Sequence, residues 1–245
     1  MGNIQPHLCL DDSLHIEYAL LPGDPKRIDR ILPFLENAGE LAYNREFRSV
    51  RGLYKGVPVL AVSTGIGGAS CAIAVEELKN IGVKNMIRIG SCGALQDGIG
   101  LGDLILVSGA VRDDGASKMY IDPIYPAVAD ADLLLACREA ARSLGARTHI
   151  GLARSHDSFY TDHEQERHEK WQKAGVLGCD METAALFTVG RLRGIRTMSI
   201  LNNVVLAGED TADSIADYVD GESLTARGER LEILTALEAF RRLAE

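Results

Sequence analysis

Apolar positions along this chain alternate between two spacings. Short, nearly continuous apolar runs give way to stretches with apolar residues roughly every three or four positions, and then return. The short runs predict strands at Tyr18 to Leu21, Leu41 to Val50, Val57 to Ser63, Asp103 to Val111, Thr148 to Ala153 and Arg196 to Val205. A further buried strand starts at Asn85 and runs into a small-residue turn. The helical spacing predicts helices over Lys26 to Leu35, Ala69 to Ile81, Asp130 to Leu144, Met181 to Arg193 and Glu222 to Leu243. Glu164 to Lys173 is polar and reads as a helix or a loop. Alternating strands and helices predict an α/β fold with a mixed central sheet flanked by helices. The 245 residues contain no repeat, low-complexity tract or linker, so residues 1–245 are expected to form a single domain.

Composition narrows the partners. A net charge of −9 repels nucleic acid and anionic membranes. No apolar run approaches the roughly 18 residues of a membrane span, and no leader pattern is present. Five scattered cysteines without a CxxC pair read as reduced, packed thiols, which predicts a cytoplasmic protein.

Against that acidic background one cation stands out. Arg88 lies inside the apolar run Asn85-Met86-Ile87-Arg88-Ile89, followed by Gly90-Ser91-Cys92-Gly93-Ala94. A guanidinium in an apolar strand is costly unless an anion meets it. The following turn adds backbone N–H groups and the Ser91 hydroxyl, a setting for an oxyanion such as phosphate.

Other motifs are open between two readings. Pro22-Gly23-Asp24-Pro25-Lys26-Arg27 is an ordinary turn with a surface arginine, or a helix N-terminus with a charged fork for an anion. Asn44-Arg45-Glu46-Phe47 is a solvated edge strand with an ion pair, or an anion contact offered to a neighbouring subunit. Asp180-Met181-Glu182 is a pair of acids serving a helix dipole, or a carboxylate holding the vicinal hydroxyls of a ribose beside an apolar methionine. His156 and Asp157 are neighbours that point apart, so Phe159 in that loop suggests base stacking instead. Thr64-Gly65-Ile66-Gly67-Gly68 fits neither a Walker A loop nor GxGxxG.

Together these motifs resemble the nucleoside phosphorylase-I family. The resemblance runs nearly end to end, through Pro22-Gly23-Asp24-Pro25, Asn44-Arg45-Glu46-Phe47, Ser63 to Gly68, Val75-Glu76-Glu77-Leu78, Ile87 to Ser91, Ser158-Phe159-Tyr160 and Asp180-Met181-Glu182. It implies a phosphorylase/hydrolase-like fold and reversible phosphorolysis of a (deoxy)ribonucleoside to free base and (deoxy)ribose 1-phosphate. It implies a phosphate site of Gly23, Arg27, Arg88 and Ser91, with Arg45 supplied by an adjacent subunit. Arg88 and Glu182 would carry the catalysis. Met181 and Glu182 would hold the ribose, with His7 reaching across a dimer interface, and Phe159 would stack on the base. The implied assembly is a homo-oligomer with shared active sites, a dimer or a trimer of dimers forming a hexamer. No organic cofactor or catalytic metal is implied, and phosphate is a co-substrate. A monovalent cation such as potassium would sit at Glu46, Ile66 and Ser70.

The base is less constrained. The late strand has Val204 and Val205 where purine-specific relatives carry an acid, and a valine has no proton to donate. Gln165-Glu166-Arg167 resembles the pyrimidine-reading pair of uridine phosphorylases, shifted by two residues, and Asn203 matches their late-strand asparagine. Uridine is therefore favoured, with a purine nucleoside as the alternative. A nucleosidase would not need three phosphate-directed arginines, and a silent binding protein would not need Arg88 with Glu182. Asp210 is a further acid in this region.

Overall fold

A computed structural model describes residues 4–209 and 224–245. Asp210 and the predicted helix start at Glu222 lie outside the described residues. The strands are β1 (Tyr18–Pro22), β2 (Glu36–Asn44), β3 (Phe47–Tyr54), β4 (Val57–Val62), β5 (Asn85–Ala94), β6 (Leu104–Asp113), β7 (Ala127–Val128), β8 (Thr148–His156), β9 (Gly178–Asp180) and β10 (Arg196–Val205). The helices are α1 (Arg27–Ile31), α2 (Gly68–Asn80), α3 (Ala116–Tyr120), α4 (Ala131–Ser143), α5 (Glu164–Lys173), α6 (Thr183–Leu192) and α7 (Leu224–Ala244).

The sheet is mixed, in the order β10-β6-β8-β9-β5-β1-β4-β3-β2, and β10 also pairs with β5. That second pairing closes β5, β10, β6, β8 and β9 into a ring, with β1 to β4 extending from it. Strand alternation divides the core into two faces. Met86 of β5 joins the cluster that includes Val75 and Leu78 of α2 and Leu186 and Phe187 of α6. Ile87 and Ile89 join the opposite cluster, with Ile28 of α1, Leu133 of α4 and Ile233, Leu237 and Phe240 of α7. Arg88 shares the parity of Met86, which directs it towards α6.

Two expected elements differ. The predicted strand over Leu41 to Val50 is a hairpin whose turn falls at Arg45 and Glu46, between β2 and β3. Arg45 takes a left-handed φ of 56°, so the polar pair marks a chain reversal. The predicted helix from Lys26 to Leu35 is shorter. α1 ends at Ile31 and a 3₁₀ turn follows over Leu32–Phe34, since Pro33 has no N–H to continue an α-helical ladder.

Candidate active site

On one edge, β5 pairs with β1 as far as Pro22 and Ile89, and with β9 from Gly93 and Cys179 onward. Between those partners lie Gly90, Ser91 and Cys92, and all three line a cavity of about 730 Å³. The cavity sits where strand order changes, beyond the carboxyl end of β1, a position that suits a ligand in an α/β sheet.

Its positive wall is built by β5 and α1. The Arg27 Nη2 donates to the Ser91 hydroxyl at 3.1 Å, and its Nη1 donates to the Ile89 carbonyl at 3.1 Å. Gly23, Arg27, Arg88 and Ser91 all line the cavity, so four separated sequence positions meet there. The Arg88 Nε donates to Asp180 at 3.1 Å, and its Nη2 lies 2.5 Å from Glu182. Its Nη1 is buried and has no hydrogen-bond partner among the described residues. Burial disfavours the Arg88 charge, but Glu182 and Asp180 outweigh it and raise its pKa. Gly90 is glycine for space: a Cβ there would stand 2.5 Å from the Arg88 Nη2.

The two acids of Asp180-Met181-Glu182 divide the roles that the sequence left open. Asp180 accepts from the Thr183 backbone N–H at 3.0 Å and from its hydroxyl at 2.6 Å, so it serves the first turn of α6. It also accepts from the Ser155 hydroxyl at 2.6 Å. Asp180 also lines the cavity, a place that its position in the sequence beside Glu182 did not by itself assign. Glu182 leaves its own helix and accepts from the Gly67 N–H at 2.6 Å, at the start of α2. Burial pushes the Glu182 carboxyl up, against the pull of Arg88. Gly65 allows the glycine turn to approach: its φ is +70°, and a Cβ would lie 2.6 Å from the Glu46 side chain.

Met181 and Phe159 line the cavity beside Val204 and Val205. The expected base readers are placed elsewhere. Gln165 and Arg167 are exposed on α5, while Glu164 and His168, one turn apart, face the cavity. Glu164 and His168, at i and i+4, share one face of the helix, and Gln165 at i+1 turns about 100° away from it; Arg167, at i+3, lies at the margin of that face and is exposed. Asn203 is buried and points its amide at the Gly100 carbonyl, 3.1 Å away. Its neighbours Val204 and Val205 reach the cavity at a register shift in β10. His156 and Asp157 do point apart: His156 lines the cavity, and Asp157 accepts from the Gly115 N–H.

His7 and Arg45 do not line this cavity. The His7 Nδ1 lies 2.6 Å from Glu77, and Arg45 projects from the exposed tip of the β2–β3 hairpin. Glu46 and Ile66 do line it, and the Ser70 hydroxyl donates to Glu46 at 2.7 Å. Glu46, Ile66 and Ser70 are thus brought together. A carboxylate beside a hydroxyl is an oxygen donor set compatible with a hard monovalent cation.

The C-terminal helix α7 also reaches the positive wall. Glu229 lies 3.4 Å from the Arg27 Nε and pairs with Arg30, and Glu232 lies 3.7 Å from the Arg27 Nη1. Their spacing of three on a helix that buries its apolar face was the available signal.

A family model for the phosphorylase superfamily matches residues 17–232. The chain belongs to the phosphorylase superfamily. It is 41% identical to a uridine phosphorylase of Thermococcus kodakarensis, over 99% of this chain and 87% of that one. It is 39% identical to a guanosine phosphorylase of Halorubrum lacusprofundi, over 86% of this chain and 88% of that one. The crystal structure of a Vibrio fischeri uridine phosphorylase superposes with a TM-score of 0.90 at 47% identity, covering 97% of each chain. The mixed α/β fold expected from the strand–helix alternation is the fold of this superfamily member. No helix among the described residues is long and apolar enough to cross a membrane.

Proposed function

We propose that this protein is a nucleoside phosphorylase that cleaves uridine with inorganic phosphate, giving uracil and ribose 1-phosphate. The observation that carries the reading is the Arg88 guanidinium. Two of its nitrogens are fixed by Asp180 and Glu182, and the third has no partner among the described residues, in a side chain that lines a cavity with Arg27 and Ser91.

Phosphate is held by Arg88, Arg27, Ser91 and the backbone at Gly23, beneath the sugar. It attacks C1′ as the glycosidic bond breaks. The anion offsets the developing oxocarbenium charge, and proximity supplies most of the acceleration. Glu182 holds the ribose hydroxyls, Met181 lies against the sugar and Phe159 stacks on the base. His7 and Arg45 come from a second copy of the chain, a role supported by their position away from their own cavity. A monovalent cation at Glu46 and Ser70 belongs to the same proposal, as does a cytoplasmic setting, which five free thiols support.

A purine nucleoside is the second reading, favoured by the Halorubrum lacusprofundi relative. Against it, Val204 and Val205 line the cavity where an acid would serve a purine. The deciding experiment follows base release from uridine, thymidine, inosine, adenosine and guanosine with and without phosphate. Phosphate-dependent release of uracil with ribose 1-phosphate is expected. Base release indifferent to phosphate would overturn the phosphorylase reading.

A further inference from the structure

We propose that Glu164 reads the nucleobase by accepting a hydrogen bond from a ring N–H. This inference rests on the phosphorylase reading and specifies its substrate class. Uracil offers such a donor at N3, and 6-oxopurines offer one at N1. Cytosine and adenine carry an acceptor at the corresponding nitrogen.

The carboxylate is fixed before any base arrives. Its Oε1 accepts from the Arg154 Nη1 at 2.9 Å and lies 2.8 Å from the His168 Nε2. Arg154 is fully buried and is itself anchored through Nε to Asp113 at 2.9 Å. The other oxygen, Oε2, is shielded and has no hydrogen-bond partner among the described residues, although Glu164 lines the cavity. The Arg154 Nη2 of the same ion pair is likewise buried and unpartnered among the described residues. An unmet acceptor on a cavity-lining carboxylate is costly, and a donor on the bound molecule would meet it.

The surroundings fit that assignment. Glu164 and His168 stand one turn apart on the inner side of α5, and Phe159 borders the same cavity. The His156 Nδ1 lies 2.8 Å from the Ser158 carbonyl, which only accepts, so the ring proton is on Nδ1. In the neutral ring Nε2 is then a second acceptor, 3.9 Å from Glu164. Arg27, Arg88 and Ser91 form another part of the same wall. The site therefore has a cationic wall for the anion and an acceptor wall for the base. An amide could turn to donate or accept, whereas a carboxylate only accepts, which makes the discrimination one-sided.

The test uses the wild-type enzyme with phosphate on uridine, N3-methyluridine, cytidine, inosine, N1-methylinosine and adenosine. The N-methyl analogue of whichever parent is cleaved is expected to lose about 10²-fold or more in kcat/KM, because a site built around a hydrogen bond rejects a ligand that lacks it. Glu164→Gln, whose amide can donate, is expected to narrow the ratio of uridine to cytidine, or inosine to adenosine, by about ten-fold or more. N-methylated substrates cleaved as fast as their parents would overturn the proposal, as would a folded E164Q enzyme with an unchanged ratio. If E164Q fails to fold, the methylated substrates still decide. Absence of phosphate-dependent cleavage of every nucleoside would instead defeat the underlying phosphorylase reading.

Discussion

Arg88 and Glu182 meet at 2.5 Å, Nη2 to Oε2, although they lie 94 positions apart and both are almost wholly buried. The contact joins the proposed phosphate wall to the proposed ribose clamp. Asp180 on the Arg88 Nε keeps that guanidinium from swinging away. Arg88→Lys keeps a charge but loses the planar fork. It is expected to lower kcat/KM by about 10²-fold, the scale of one preorganised electrostatic donor. Steady-state kinetics with phosphate as the varied substrate checks this, and near-wild-type values would remove Arg88 from the anion site. Arg88→Ala should also lower stability by about 3–5 kcal/mol, because it strands two buried carboxylates.

Gly90 tests the same site through volume alone. Gly90→Ala places a methyl group 2.5 Å from the Arg88 Nη2 and 2.8 Å from its Cζ. The guanidinium must then shift, at a cost of about 1–3 kcal/mol typical of overpacking. A raised KM for phosphate with a lowered melting temperature is expected. A variant with both unchanged would show that the guanidinium does not curl over this glycine.

Glu232 gives a pH signature. Burial pushes its carboxyl up to about 8 from 4.5, with the Arg27 charge pulling the other way. A 3.7 Å approach to Arg27 is too loose to offset that desolvation. Since the folded value exceeds the unfolded one, the stability tied to this group is fully present below about 4.5 and is lost as pH rises through about 8. Glu232→Gln removes the ionisation. Its melting temperature should match or trail wild type near about pH 5 and exceed it by a few degrees near about pH 9. A difference that does not vary with pH would sink the assignment.

Arg167 is exposed and off the cavity. Arg167→Ala should leave kcat/KM for uridine within about two-fold, as for surface substitutions that touch no special feature. A loss of ten-fold or more would bring the Gln165-Arg167 pair back as a base reader. The same kinetic panel applied to Glu164→Gln supplies the contrast.

Much of the scaffold was legible because it depends on local spacing. Arg196–Val205 is the strand that its apolar run predicts, and Gly68–Asn80 is the helix predicted for Ala69 to Ile81 to within one residue at each end. The short pieces, α3, β7 and β9, escaped because a few residues carry too little periodicity to register. The turn at Arg45 escaped because it falls within a strand-like stretch without a glycine or proline to mark it.

By itself the sequence determined that a cation is set in an apolar strand beside an N–H-rich turn, since burying Arg88 without an anion would be prohibitive. It also determined the α/β alternation that carries that strand. Only the tertiary structure decided which anions meet Arg88 within the chain, Asp180 and Glu182, because that pairing joins β5 to the β9–α6 turn through long-range packing. Likewise, the phase of α5 against the ring of strands decided that Glu164 and His168, and not Gln165 and Arg167, face the cavity. Spacing along a helix says which residues share a side, but the side that meets the cavity is fixed by where the rest of the chain packs.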